Sequence, residues 1–160
     1  MQEQPPVIPI IPMKPLADGK TRLSRYLTKE QRAELTLGML RQVIIAIKGA
    51  SLDLFWVVGG DSRVRSLVRN NDGLWIEDTA RNLNDTLMAA FERALGQGNS
   101  VLYLPGDLPF LKAGDIHSVL TATRRQNNIT LSPARRDGGT NGILVPAGIA
   151  FTPDLGPKSF

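Results

Sequence analysis

The chain has 160 residues, which fits one domain that buries roughly 70% of the surface of its unfolded chain. Its formal net charge is +4, and its 42% apolar and 21% charged residues are ordinary for a folded domain. The absence of cysteine excludes disulfides, Cys–His zinc sites and thiol nucleophiles. The sequence has no Lys/Arg run of the kind that binds nucleic acid and no apolar run long enough to span a membrane. A cytosolic protein is therefore the default expectation.

The first half of the chain alternates apolar runs with helical patterns. Residues 7–12 predict a strand in which Pro9 marks an end or an irregularity. Thr28 and Gln31 form a capping-box pattern that predicts the start of a helix, and apolar residues then follow a helical spacing as far as Ile47. The next predicted elements are a strand over 52–58, a short helix capped by Asp61 and running through Val68, and a strand over 74–77.

The second half continues this alternation. Asn82-Leu83-Asn84 predicts a helix start, and Gly96 and Gly98 predict the end of that helix. Its predicted inner face carries Leu87, Ala90, Phe91 and Ala94. The remaining predictions are a strand over 100–104, a helix over 113–126, and strands over 129–132 and 143–145 that flank a polar turn over 136–141.

Strands that alternate with helices predict an α/β fold with right-handed crossovers and a mainly parallel sheet. In such folds, ligands bind beyond the carboxyl ends of the strands. The polar clusters of this sequence follow the predicted strand ends, so we expect several loops to share one ligand crevice.

The loop over residues 12–24 contains Gly19, which permits close approach of a ligand to the backbone, and cations suited to a triphosphate. It lacks the Walker spacing, and a solvated basic loop is the alternative interpretation. Its candidate phosphate ligands are Lys14, Lys20 and Arg22.

Asp107 follows an apolar strand, where a carboxylate suits Mg²⁺; a turn aspartate or a helix cap near Pro109 is the simpler interpretation of Asp-x-Pro taken alone. The glycine-rich cluster over 136–142 suits an anion nest or a flexible hairpin. Asn82 and Asn84 can cap a helix or contact a base or ribose. His117 is interpreted as a surface residue, and Trp56 and Trp75 as core residues.

Taken together, six segments resemble the guanylyltransferases of deazaflavin coenzyme F-420 biosynthesis, the family that makes use of 2-phospho-L-lactate or phosphoenolpyruvate. They occur in the order found in that family. The segments are Pro12-Met13-Lys14-Pro15-Leu16, Gly19-Lys20-Thr21-Arg22-Leu23-Ser24, Leu83-Asn84, Leu104-Pro105-Gly106-Asp107-Leu108-Pro109, Asp137-Gly138-Gly139-Thr140-Asn141 and Gly156-Pro157-Lys158-Ser159-Phe160.

The resemblance implies a single Rossmann-like nucleotidyltransferase domain of glycosyltransferase-A type, a three-layer sandwich around a mostly parallel, mixed sheet. It implies transfer of GMP from GTP, with magnesium, to phosphoenolpyruvate, 2-phospho-L-lactate or 3-phospho-D-glycerate, with release of pyrophosphate. Members of this family often form homodimers, and the sequence leaves the oligomeric state open.

The resemblance also implies residue roles. Lys14, Gly19, Lys20 and Arg22 match the triphosphate loop, Asp107 matches the metal aspartate, and Asn84 matches a residue near the nucleoside. The positions that match the site of the acceptor acid are Gly138, Gly139, Thr140, Asn141, Gly156 and Ser159.

Members of the family continue beyond the Ser-Phe pair with a histidine and an Asp-rich segment. We therefore expect residues 1–160 to form one domain that lacks this segment and its second metal aspartate. Two alternatives are a related nucleotidyltransferase acting on a sugar phosphate or molybdopterin, and a nucleotide-binding protein without catalytic activity.

Overall fold

The computed structural model describes residues 4–123, 127–136, 138–156 and 159. Six strands form one mixed sheet in the order β3-β2-β1-β4-β6-β5. The first four strands in this order are parallel, and β6 runs antiparallel to both β4 and β5. The strands are β1 (Val7–Met13), β2 (Trp56–Gly59), β3 (Leu74–Ile76), β4 (Ser100–Tyr103), β5 (Thr130–Ala134) and β6 (Gly139–Val145).

Helices cover both faces of the sheet, so the predicted three-layer α/β sandwich is confirmed. One core cluster joins the inner faces of α1, α2 and α4 to one side of the sheet. The second cluster packs α3, through Leu87 and Phe91, against the other side. The helices are α1 (Lys29–Gly49), α2 (Ser62–Arg69), α3 (Leu83–Gly96) and α4 (Ala113–Ala122).

The helix starts are where the sequence places them, because each depends on a local cap. Thr28 and Gln31 form a reciprocal capping box at α1. The Asp61 side chain accepts two backbone N–H groups at the start of α2, and Asn82 accepts that of Asp85 at the start of α3. Helix α4 ends at Ala122, before the predicted residue 126, and residues 124–126 lie outside the described part of the chain.

The prediction for Pro9 is wrong, since this residue lies inside the central strand β1, opposite Leu102. The carbonyls of Pro6 and Ile10 accept hydrogen bonds from the N–H groups of Ser100, in β4, and Leu104, just after it, so the backbone of Pro9 faces β2 instead. Pairing with β2 begins only at Ile10, opposite Trp56. The missing N–H of Pro9 therefore interrupts neither ladder.

Three predicted strand boundaries also change. Strand β2 begins at Trp56 and not at residue 52, because Ser51 has a φ of 60° and Leu54 is exposed. Strands β5 and β6 extend around the predicted turn, with a register shift between Ser132 and Pro133. Gly139 and Thr140 thus lie in a paired strand and not in a free loop.

Candidate functional site

The sheet has a switch point between β1 and β4. The chain moves from β1 to β2 and β3 on one side, and returns to β4 on the other side of β1. The loops that follow β1 and β4 therefore leave the sheet next to each other and diverge, which opens a crevice at their carboxyl ends. The crevice is a cleft of about 900 Å³.

The loop after β1 forms one wall of this cleft and contains two short 3-10 turns, Leu16–Asp18 and Thr21–Leu23. Lys20 joins the two turns in the left-handed conformation, with a φ of 52°. Arg32, on α1, donates a hydrogen bond of 3.1 Å to the Gly19 carbonyl and so fixes the loop to that helix. The loop presents three cationic side chains to the cleft, those of Lys14, Lys20 and Arg22.

The end of β4 provides the facing carboxylate. Lys20 Nζ lies 2.6 Å from Asp107 Oδ2, and the two side chains are 30% and 52% exposed. Gly106 permits the close approach of this turn to β1, because a Cβ atom there would lie 2.2 Å from Met13 Sδ. The two sequence segments separated by 87 residues thus meet in one ion pair at the mouth of the cleft.

Tyr103 lines the cleft from the last position of β4. Burial, with a smaller contribution from the negative charge of Asp107, raises the pKa of the Tyr103 phenol to about 12. The phenol consequently stays protonated at neutral pH and can serve there as a hydrogen-bond donor.

The segment after β3 forms the opposite wall, and the sequence predictions included only its end, at Asn82. Asp78 accepts hydrogen bonds of 3.0 Å from the Ala80 N–H and from the Thr86 hydroxyl. The sequence pattern around Asp78 resembles that around Asp107, since both carboxylates follow the end of a strand. Cleft-lining residues that the predictions missed include Thr36, Asp78, Arg81, Thr86 and Tyr103.

The residues predicted for the acceptor acid lie near the same edge. Ile143 of β6 pairs with Tyr103 of β4, so the antiparallel residues 139–142 extend past the carboxyl end of β4. Thr140 Oγ1 lies 3.0 Å from Ser159 Oγ, which brings two of the predicted acceptor residues together. Asn141 lines a second cavity of about 330 Å³. Asp137, Pro157, Lys158 and Phe160 lie outside the described residues.

Asn84 has a partner that the sequence did not reveal. Its side chain donates to the Leu155 carbonyl at 3.1 Å and accepts from the Leu155 N–H at 2.7 Å. Among the described residues that line the large cleft, Asn84 is absent, whereas Asn82 and Leu83 are present. The expected contact of Asn84 with the nucleotide stays a prediction, since its amide is engaged by the backbone.

Magnesium is the metal implied for this site, and the observed carboxylate suits it. Asp107 is half exposed, and Lys20 is its hydrogen-bond partner among the described residues. The described residues contain no group of three or more His, Cys, Asp or Glu side chains placed to hold an ion. One carboxylate is sufficient for Mg²⁺ when phosphate oxygens and water complete its octahedral shell.

Comparison with known sequences decides the family. The family described as "Guanylyl transferase CofC like" matches residues 7–152. The chain belongs to this family. The predicted resemblance is therefore confirmed, and the guanylyl transferase family match covers every strand and helix described above.

Members of the guanylyl transferase family with different named acceptors are similar to this chain. A phosphoenolpyruvate guanylyltransferase of Rubrobacter xylanophilus is 34% identical over 96% of this chain and 76% of the relative. A 2-phospho-L-lactate guanylyltransferase of Methanocaldococcus jannaschii is 33% identical over 82% of this chain and 56% of its own length. A 3-phospho-D-glycerate guanylyltransferase of Phenylobacterium zucineum is 32% identical, with coverages of 88% and 67%.

Solved structures show the same fold at low sequence identity. A proposed nucleotide-diphospho-sugar transferase from Desulfovibrio desulfuricans has a TM-score of 0.70 at 16% identity, over 88% of this chain and 63% of that one. A cytidylyltransferase from Leptospira borgpetersenii has a TM-score of 0.60 at 9% identity, over 88% and 60%. The nucleotidyltransferase fold predicted for this chain is thus confirmed. No helix in the described ranges is long and apolar enough to cross a membrane.

Proposed function

We propose that this protein transfers GMP from GTP to a phosphorylated three-carbon acid, in the reaction type named for its relatives. The observation that carries the proposal is the Lys20–Asp107 pair, 2.6 Å apart, at the mouth of a cleft on the switch point of the sheet. A cation and a carboxylate placed together there suit a nucleotide triphosphate and its metal ion. Family membership then favours GTP as the donor.

In the proposed step, an oxygen of the acceptor's phosphate attacks the α-phosphorus of GTP. A new P–O bond joins the two phosphates, the bond from the α-phosphorus to the β-phosphate oxygen breaks, and its electron pair leaves with pyrophosphate. The attacking oxygen is already anionic, so the step needs no general base. The protein has to hold the attacking oxygen in line with the bond that breaks, and to neutralise the charge that develops.

The chain's own residues divide this work. Lys14, Lys20 and Arg22 bind the triphosphate and neutralise the charge on the departing pyrophosphate. Asp107 holds Mg²⁺, which supplies Lewis-acid stabilisation of phosphoryl oxygens when bound. Tyr103 remains a neutral donor at the floor of the same cleft.

The acceptor is proposed to bind at the antiparallel edge, beside the end of β4. The hydroxyls of Thr140 and Ser159 suit its carboxylate and phosphate, and Gly138 and Gly139 lie directly before Thr140 at the start of β6. Gly156 is the remaining residue proposed for this side, whereas Asn141, which the sequence also predicted here, lines the second cavity. The three candidate acids share both anionic groups, so the proposal is for the class of acceptor.

The test is release of pyrophosphate with Mg²⁺ in a matrix of nucleotides and acceptors. GTP and CTP are each combined with phosphoenolpyruvate, 2-phospho-L-lactate, 3-phospho-D-glycerate and a sugar phosphate. We expect release with GTP and at least one three-carbon acid, and a loss of about a hundredfold or more in Asp107→Asn. Release only with CTP or only with the sugar phosphate, or none from a folded sample that binds GTP, would overturn the proposal.

A further inference from the structure

The side of the cleft across the end of β1 from Asp107 is formed by the segment that follows β3. The residues that line this wall are Asp78, Ala80, Arg81, Asn82 and Leu83. Strands β3 and β4 are three positions apart in the sheet. At about 4.8 Å between neighbouring strands, β3 and β4 are about 14 Å apart, but Asp78 reaches back to the end of β2, where its Cβ lies 3.2 Å from a Cβ atom built at Gly59. This inference rests on the proposed function, which places the phosphates of the nucleotide at the Asp107 end.

A nucleotide bound in that orientation has one direction available inside the cleft. Its phosphates lie between the loops that follow β1 and β4, where three of the four cationic side chains lining the described cleft are; the fourth, Arg81, is on the Asp78 side. Its nucleoside then extends across the end of β1 toward the β3 side, because the same continuous cleft reaches Asp78 and Leu83. The base therefore lies against the side of the cleft that contains Asp78.

Asp78 is held in place and still has free acceptor capacity. Oδ1 accepts the Ala80 N–H, and the Thr86 hydroxyl lies 3.0 Å from both carboxylate oxygens. The Thr86 hydroxyl oxygen also lies 3.0 Å from the Asn82 carbonyl oxygen, so its single proton cannot serve all three acceptors at once. A carboxylate offers about four lone-pair positions, of which these partners occupy at most two.

The chemistry of a fixed, outward-facing carboxylate matches guanine. Guanine carries two adjacent donors on one edge, N1–H and the 2-amino group, whereas adenine, cytosine and uracil present no such pair. Leu83 on the same wall is 42% exposed, which offers an apolar contact to a ring beside the carboxylate. We infer that Asp78 is the residue that selects guanine, by accepting hydrogen bonds from N1–H and the 2-amino group.

Two simpler roles for Asp78 make different predictions. A metal site shared with Asp107 would weaken binding of GTP and XTP together in Asp78→Asn, because both nucleotides carry the same triphosphate. A purely structural role, in which Asp78 only orders the segment before α3, accounts for the bonds to Ala80 and Thr86. That role gives no reason for one base to be preferred over another.

The test is the affinity of the full chain and of Asp78→Asn for GTP and XTP, measured by titration calorimetry with Mg²⁺ and no acceptor. An asparagine retains an oxygen for N1–H, but its amide donor faces position 2. Guanine has an amino group there and xanthine has a carbonyl oxygen. We expect the Kd for GTP to rise about ten- to a hundredfold and the Kd for XTP to fall about tenfold, so that the preference inverts.

The matched control is Asp53→Asn, the same change on an exposed carboxylate before β2 that does not line the cleft. This control should leave the ratio of the two affinities unchanged. If Asp78→Asn has the ratio of the parent chain, or loses both affinities in parallel, the inference about Asp78 is overturned while the proposed function stands. If the folded parent chain binds no GTP, the proposed function fails and takes this inference with it.

Discussion

At the scale of single residues, the Lys20–Asp107 pair combines the two components of the proposed phosphate site. In the free protein, the Lys20 ammonium is paired with the Asp107 carboxylate oxygen that a metal ion would use. Binding of the triphosphate gives this ammonium another anionic partner. Nucleotide and metal are therefore expected to bind cooperatively.

This competition gives a measurable prediction. Lys20→Gln removes the ammonium from Asp107, so the nucleotide-free protein should bind Mn²⁺ about two- to fivefold more tightly, the range expected for loss of an exposed ion pair. Free Mn²⁺ is measured by electron paramagnetic resonance. Lys29→Gln, at the exposed start of α1, is the control and should change nothing. Equal Mn²⁺ affinity in Lys20→Gln and the parent chain would show that the pair does not compete.

Tyr103 gives a second prediction at this scale. Burial raises the pKa of Tyr103 to about 12, so folding favours the neutral phenol. The resulting stabilisation is complete below pH 10, the ordinary pKa, and is lost as the pH rises toward 12. Absorbance at about 295 nm should therefore show a tyrosine step near pH 12 that is missing in Tyr103→Phe. A Tyr103 step near pH 10 in the folded protein would contradict the burial described here.

At the scale of elements, the close contact between β1 and β2 depends on Gly59. Its φ is +88°, and a Cβ atom would lie 2.3 Å from the Met13 carbonyl oxygen. Gly98 has a similar φ of +79°, but a Cβ atom there would meet nothing within 4 Å. Substitution of the two glycines therefore distinguishes the cost of backbone strain alone from the cost of strain together with a steric clash.

Gly98→Ala should cost about 1–2 kcal/mol of unfolding free energy through the left-handed backbone alone. Gly59→Ala carries the same strain and also forces β1 and β2 apart, so its cost should be larger by at least about 1 kcal/mol. Urea denaturation of the two variants measures the difference. Equal costs would mean that the end of β1, which positions Lys14, tolerates displacement.

Asn84 connects α3 to the segment after β6. Asn84→Ala removes both hydrogen bonds to Leu155 and should cost about 1–3 kcal/mol. Because Leu155 precedes Gly156 on the proposed acceptor side, we expect the KM for the acceptor to rise several-fold and the Kd for GTP to stay within about twofold. Asn70→Ala, at an exposed asparagine after α2, is the control. A selective loss of GTP affinity in Asn84→Ala would instead support the contact with the nucleoside that the sequence suggested.

These contacts show which parts of the molecule the sequence could predict. The starts of α1 and α2 depend on residues two or three positions apart, so Thr28 and Asp61 were sufficient to predict them. The pairing of Asn84 with Leu155 spans 71 residues and has no local signal. Asp78 was missed because a carboxylate after the short strand β3 looks like any acidic surface loop until the cleft shows what it faces.

At the scale of the whole molecule, the order of the strands explains why distant motifs meet. The chain leaves β1 toward β2 and returns on the other side at β4, so the loops with Lys20 and Asp107 become neighbours. The antiparallel β6 then brings residues 139–142 to the same edge. One side of the cleft thus suits the nucleotide, and the adjacent edge suits a second anionic substrate.

The central claim is that an acceptor phosphate attacks the α-phosphorus of GTP, and phosphorus NMR of the reaction mixture tests it most directly. With GTP, Mg²⁺ and the acid that supports turnover, the account predicts pyrophosphate together with two coupled resonances of an unsymmetrical diphosphate. Formation of GDP, with phosphate or a newly phosphorylated acid and no pyrophosphate, would show attack at the γ-phosphorus and contradict the account.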